Sequence, residues 1–149
     1  MQTTAATPKV VAEELLTLWL HLVRDSGSSL FQLLERLDLG LTHFKTLDTL
    51  QACGCEPTVK ELAERLGLSV PGTSRNVEGL LQRGLLERRE DDNDRRMKRL
   101  RLTDAGRDAL TQVNSARLHG LETWAATLTD AQREALVAAL APLTEGLPR

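Results

Sequence analysis

The stretch LGLSVPGTSRNVEGLLQRG, Leu66 to Gly84, constrains this chain more than any other, because apolar residues recur there at a helical interval around a Pro-Gly pair. Proline inside a helix removes a hydrogen bond and collides with the preceding turn, whereas in the first turn, where amides lack intrahelical partners, its fixed φ does no harm. Ser69 as N-cap puts Pro71 and Gly72 in that first turn. Just upstream, Thr58-Val-Lys-Glu61 has the form of a capping box and opens a short helix with Val59, Leu62, Ala63 and Leu66 on one face and Gly67 at its end. Only Leu68 and Ser69 separate the two helices, so they meet across a tight turn at a steep angle, as in a helix-turn-helix.

Drawn at about 100° per residue, the second helix groups Val70, Thr73, Ser74, Val77, Leu80 and Leu81 toward the core. Pro71, Gly72, Arg75, Asn76, Gly79, Gln82 and Arg83 fall on the opposite side. That side is slim at the helix start and polar throughout, a shape suited to a groove. After Gly84 come Leu-Leu-Glu-Arg-Arg, an acidic tip from Glu90 to Asp94, and the run Arg95 to Leu102, in which Leu100 and Leu102 alternate with Arg99 and Arg101. The period of two is that of a half-buried strand, and the whole reads as a β-hairpin with a long basic arm, a wing.

Long helices are expected on both flanks. Pro8 suits a first helical turn, and from Val10 to Val23 apolar residues surround most of the helix, which asks for burial on more than one side. Residues Met1 to Thr7 are expected to be disordered. Asp25-Ser-Gly-Ser-Ser29 is expected to interrupt this helix, a second piece runs from Leu30 to Leu37 up to Gly40, and Thr42 caps a helix with Phe44, Leu47 and Leu50 that ends near Gly54. Thr103 and Asp104 open a helix toward Thr127, and Thr129-Asp-Ala-Gln132 is a second capping box before Leu136, Val137, Leu140 and Leu143.

With 149 residues, 41% of them apolar, the chain can bury a core without staples, and 3% aromatics make that core mostly Leu, Val and Ala. The most apolar run, Leu15 to Val23, falls far short of the roughly 20 residues that span a bilayer, and no signal peptide opens the chain. Cytoplasmic placement and no membrane partner are the expectation. Cys53 and Cys55 suit a reducing compartment and are read as small residues at a helix end and in the loop after it. The formal charge of −2 hides an asymmetry: residues 58–101 carry 11 Lys/Arg against 8 Asp/Glu, and the rest carries 8 against 13.

Residues Thr58 to Gly106 resemble the winged helix-turn-helix of the MarR family of transcription regulators. TVKELAERLGLS stands for the supporting helix and turn, LLQRGLLERRE for the end of the recognition helix, and Asp94-Arg-Arg96 leading to Leu102-Thr-Asp-Ala-Gly106 for the wing. The start Val70-Pro71-Gly72 departs from the Ser or Ala common among relatives. The resemblance implies a mainly α fold with a small β-hairpin wing. It divides into an N-terminal dimerisation helix region over 1–40, a winged helix-turn-helix over 41–103 and C-terminal dimerisation helices over 104–149.

The function implied is sequence-specific binding of double-stranded DNA by a homodimer on a pseudo-palindromic operator, as a repressor under a small aromatic or anionic effector. DNA contacts are expected from Ser69, Pro71, Gly72, Thr73, Arg75 and Asn76 in the recognition helix, and from Asp94, Arg95, Arg96 and Lys98 in the wing. Arg75 is matched to guanine, Pro71 to a thymine methyl, and the helix start to a phosphate. Arg95 and Arg96 are matched to the minor groove, with Asp94 orienting the wing by an ion pair. Trp19, His21, His43 and Trp124 are of types that line effector pockets, but packing or surface placement accounts for each, and no effector residue is assigned.

Two other readings compete. One is a thiol-based redox-sensing regulator using Cys53 and Cys55, against which Glu56 next door disfavours the thiolate. The other is a winged helix that binds protein instead of DNA. No nucleophile-base pair, phosphate loop or metal-ligand spacing is found, since His21, His43 and His119 are scattered; no catalytic residue, cofactor or metal is expected.

Overall fold

The computed structural model describes residues 7–147, in side chain as well as backbone except at 25–31, where only the backbone is described. The disorder expected of the N-terminal tail therefore lies, for residues 1–6, outside the described residues. Among the described residues six helices and one hairpin follow in order: α1 (Pro8–Arg36), α2 (Leu41–Cys53), α3 (Val59–Leu66), α4 (Val70–Gln82), β1 (Leu86–Glu90), β2 (Lys98–Leu102), α5 (Asp104–Ala125) and α6 (Asp130–Thr144).

Local chemistry fixes most of these boundaries. Thr58 Oγ1 accepts from the Glu61 amide at 3.3 Å while Glu61 Oε2 accepts from the Thr58 amide at 2.7 Å, and Thr129 and Gln132 repeat the exchange at the start of α6. Ser69 Oγ accepts from Gly72 N at 3.2 Å, so Pro71 lies in the first turn of α4 as its φ requires. A Cβ on Gly72 would sit 2.9 Å from that capping oxygen, which is why the smallest residue follows the proline.

Four features of the element limits differ from the sequence reading. No break occurs at 25–29: α1 runs unbroken for 29 residues, because a single Gly and a few Ser cost about 1 kcal/mol each at most in a helix whose ladder is otherwise intact. It ends where Asp38 takes a left-handed φ of 52°, not at Gly40. The cap of α2 is Gly40 instead of Thr42, because the His43 ring reaches back and its Nδ1 accepts from the Gly40 amide at 3.1 Å, the service a Glu or Gln performs in a capping box. The strand of the wing's second arm begins only at Lys98, leaving 91–97 as its loop.

The cysteines differ too. Cys53 ends α2, Gly54 turns with φ 55°, and the left-handed step carries Cys55 back so that the two sulfurs are bonded to each other, not free thiols.

The chain packs as two compact units. Residues 33–115 form the first, with a core of Phe44, Leu47, Leu50, Leu62, Val77, Leu80, Leu100, Leu110 and Val113. Leu86 pairs with Leu102 and Arg88 with Leu100 across the hairpin, placing both β2 leucines on the buried face. On its other side β2 is held by the preceding loop, since the Leu100 amide donates to Pro57 O at 2.9 Å. The start of α5 is locked to the turn after α4. Thr103 Oγ1 donates to Gly84 O at 2.6 Å and accepts from Gly106 N at 3.0 Å. A Cβ on Gly106 would meet Leu85 O at 2.2 Å.

The other unit takes the described residues 7–32 and 116–147, and within it none of the described side chains is buried. Trp19 is 63% exposed, and Leu15, Leu16, Leu118, Val137 and Leu143 are exposed with it. So much open apolar surface on helices is far from what a self-sufficient domain presents.

Gly106→Ala is expected to lower the unfolding free energy by about 3 kcal/mol, because a backbone carbonyl cannot yield as a flexible side chain does. Urea denaturation followed by circular dichroism measures it, with unchanged stability counting against the close approach.

Candidate nucleic-acid interface

α4 rests on α2 and α3 through Thr73, Asn76, Val77 and Leu80, the i, i+3, i+4, i+7 set of one helix face. Pro71, Ser74, Arg75, Glu78 and Gln82 are exposed. The buried stripe is thus rotated by about one residue from the wheel drawn on sequence. Val70, counted with the core, is 46% exposed.

Two expected DNA contacts are corrected by this rotation. Asn76 is 9% exposed, and its Nδ2 donates to Thr46 Oγ1 and to Thr42 O, so the side chain spans α4 and α2 inside the unit. Thr46 Oγ1 in turn donates to Thr42 O at 2.9 Å. Thr73 is fully buried as well, its hydroxyl without a hydrogen-bond partner. Neither faces a duplex. Ser74, which the wheel assigned to the core, takes an outward position beside Arg75. The signal that separates these residues is partner geometry on α2, which a helical wheel does not contain.

Ser69 and Pro71 are exposed and Gly72 half-buried, with the Ser69 oxygen already occupied as cap. Arg75 is exposed and has no carboxylate partner among the described residues. Arg83, placed on the outward side by sequence, turns back: Nη2 pairs with Asp38 at 2.6 Å, Nε donates to Asp38 O and Nη1 to Gly79 O. This ties the end of α4 to the connection between α1 and α2. His43 lies alongside, and burial, with the nearby Arg83 charge, lowers its pKa against a smaller opposing effect of Asp38.

The wing's cations are mostly committed. Arg88 pairs with Glu78 at 2.9 Å, Arg89 with Glu56 at 2.7 Å and Asp92 at 2.8 Å, and Lys98 with Glu90 at 2.8 Å. Arg101 pairs with Glu87 at 2.5 Å. Arg99 bridges two elements, Nε to Asp91 at 2.6 Å and Nη1 to Glu61 at 2.9 Å. Its hydrogen bond, with those from the Asn93 and Asp94 amides, holds the Asp91 carboxyl down at about 2.

What remains at the tip is Arg95, with no partner among the described residues, and Arg96, 3.7 Å from Asp94 and 95% exposed in side chain. Asp94 Oδ1 also accepts from the Arg96 amide at 3.0 Å, shaping the turn. Of the five cations in the basic arm read from sequence, four arginines and Lys98, only the guanidinium groups of Arg95 and Arg96 are open, and Lys98 is open only if it leaves Glu90. Among the described residues no group of three or more His, Cys, Asp or Glu side chains is arranged to hold a metal ion. No helix among them is long and apolar enough to cross a membrane.

A family model described as the MarR family matches residues 37–97. RV1404 from Mycobacterium tuberculosis is 30% identical over the whole of both chains, with a TM-score of 0.79. The transcriptional regulator Tm0710 from Thermotoga maritima is 20% identical, covers 91% of this chain and 92% of its own, and has a TM-score of 0.77. MepR of S. aureus, solved as a complex with DNA, is 23% identical across 91% of this chain and 99% of its own, with a TM-score of 0.71.

Two measurements check this geometry. Because the folded Asp91 carboxyl titrates at about 2 against an ordinary 3.8, its support of the wing is complete above about pH 4 and is lost as pH falls toward 2. A carboxyl chemical-shift titration should place its midpoint well below that of an unpaired Asp, and Asp91→Asn should remove the acid-induced loosening of 91–97 in amide exchange. Asn76→Ala, which leaves the Thr46 hydroxyl short of a donor, should cost about 1–3 kcal/mol of stability in urea. An Asn76→Ala chain as stable as the parent would mean the α2–α4 network contributes nothing.

Proposed function

Since the chain belongs to the MarR family of winged helix-turn-helix DNA-binding transcription regulators, we propose that it is a repressor that binds a pseudo-palindromic operator as a homodimer. The observation that carries this reading is the exposure of three guanidinium groups: Arg75 on the outer face of α4 and Arg95 at the wing tip, neither with a carboxylate partner among the described residues, and Arg96 beside it, 95% exposed and held only by a 3.7 Å pair with Asp94, in a unit where the neighbouring wing cations are more closely paired. An unpaired, exposed Arg presents its fork of donors at little cost, whereas a paired one must first give up its carboxylate.

In this reading Arg75 donates to guanine O6 and N7 in the major groove, with Pro71 against a neighbouring thymine methyl. Ser69, Gly72 and the free amides of the first turn of α4 receive a phosphate. Arg95 and Arg96 enter the minor groove, where narrow A·T-rich stretches concentrate negative potential, and Asp94 shapes their turn. Lys98 takes a phosphate by exchanging Glu90 for it.

The homodimer reading is supported by the exposed apolar side chains of residues 7–32 and 116–147, which a second copy would cover; two recognition helices then lie about 34 Å apart, one turn of duplex. MepR in its DNA complex supplies the analogy for duplex binding by this fold. Control by a small aromatic or anionic effector follows from family membership and works if the effector prefers one spacing of the two reading heads. Such a regulator acts in the cytoplasm, where the chromosome is.

Selection of bound duplexes from random DNA tests the proposal. A two-fold symmetric site is expected, and Arg75→Ala should lose preference at one symmetric base pair with about 1–3 kcal/mol of discrimination. Arg95→Ala should weaken all sequences alike and reduce the salt slope by about 1 per protomer. Failure to enrich any duplex, or enrichment by a monomer, would sink it.

A further inference from the structure

His43 caps α2 in the manner of a Glu or Gln, but an imidazole, unlike either, changes its charge near neutrality. Its Nδ1 accepts from the Gly40 amide at 3.1 Å. A ring nitrogen that accepts carries no hydrogen, so the neutral ring holds its proton on Nε2, and a second proton can go only to Nδ1, the atom the cap uses. The other nitrogen stands against α4. A Cβ on Gly79 would lie 3.1 Å from His43 Nε2 and 3.1 Å from Arg83 Nη1, so the missing side chain lets the ring and the guanidinium share one gap at the helix. Arg83 in turn holds the connection between α1 and α2, donating to Asp38 O at 3.0 Å and to Asp38 Oδ2 at 2.6 Å, and it donates to Gly79 O of its own helix at 2.8 Å. The cap of α2, the connection before it and the end of α4 therefore meet around one ring.

We propose that His43 is a proton switch: protonation at Nδ1 uncaps α2 and loosens the tie between α4 and the connection at Asp38. The imidazolium has no lone pair left for the Gly40 amide, which loses its partner at the helix start. It also sets a second positive charge beside Arg83 and competes with that guanidinium for Asp38.

Burial is the largest influence on the ring and disfavours its charged form. The charged groups around it oppose one another, Arg83 of α4 acting with burial and Asp38 of the connection against it. The folded ring therefore titrates below its ordinary 6.5. The unfolded chain takes up the proton first as the pH falls, so the support given by the neutral ring is complete above about pH 6.5 and is lost as the pH drops through the lower folded value. The consequence for DNA rests on the reading of α4 as the recognition helix. Its outer face carries Arg75, and a looser hold on the helix costs that contact its preorganisation.

Two readouts on the full chain test the switch. By NMR, His43 Cε1 and the Gly40 amide should titrate together, with one midpoint below 6.5. At about pH 5.5 the Gly40 amide should exchange about fivefold faster than in His43→Gln, whose neutral side chain keeps an acceptor at every pH, and at about pH 7.5 the two should agree within about twofold. Fluorescence anisotropy on a selected duplex should show the parent binding about threefold more weakly than His43→Gln at the lower pH and equally at the higher one. His21 and His119 are common to both chains, so the comparison cancels their titration. Separate midpoints for ring and amide, or a shared midpoint at or above 6.5, overturn the switch. Equal affinities at the lower pH overturn its link to DNA. If neither chain binds any duplex while ring and amide still titrate together, the DNA reading fails and the switch stands.

Discussion

The winged unit depends on one guanidinium. Arg99, on the second strand of the hairpin, reaches Asp91 in the wing loop and Glu61 at the start of α3, and Glu61 at the same time accepts from the amide of its own helix cap. A single side chain thereby joins the wing to the helix that supports the recognition helix. The paired groups are partly shielded from water, and the bonds are charge-assisted, which makes them worth more than a typical exposed surface pair. Around this node Arg88, Arg89, Lys98 and Arg101 find acids of their own, and the hairpin becomes a laced structure with an open, cationic tip.

That lacing explains how a chain with a formal charge of −2 fits a nucleic-acid partner. Most acids of residues 56–94 do not oppose DNA as a diffuse field; Glu56, Glu61, Glu78, Glu87, Asp91 and Asp92 are engaged by arginines of the scaffold and Glu90 by Lys98. What faces outward is chosen residue by residue. Arg75 stands on the recognition helix between polar neighbours, and the tip arginines lie beyond the last acid of the loop.

Much of this was legible in the sequence because it is local. A capping box is decided within four residues, a left-handed glycine within one, and the hairpin by a period of two, so Thr58–Glu61, Ser69, Gly67, Thr129–Gln132 and the leucines of β2 fell where the residues implied. The misreadings needed a second element. Asn76 looks like a surface residue until Thr46 and Thr42, some thirty residues earlier, supply its partners. Val70 looks like core by its apolar side chain, yet at the first position of α4 it stands open. His43 capping Gly40, and Arg83 turning back to Asp38, are likewise matters of reach across a turn or between elements, and the continuous α1 shows that a weak local break yields to an intact ladder.

The economy of open cations at the wing bears on how such a molecule searches a chromosome. Every guanidinium free to touch phosphate raises the affinity for all sequences equally, and a genome offers on the order of a million or more irrelevant sites that compete for each copy. A wing whose arginines are mostly engaged within the fold idles less on bulk DNA, so a larger share of the molecules stays available to the one target that also satisfies the recognition helix. In the proposed DNA-binding role, selectivity is then achieved partly by abstention, with the carboxylates of the hairpin restraining the grip.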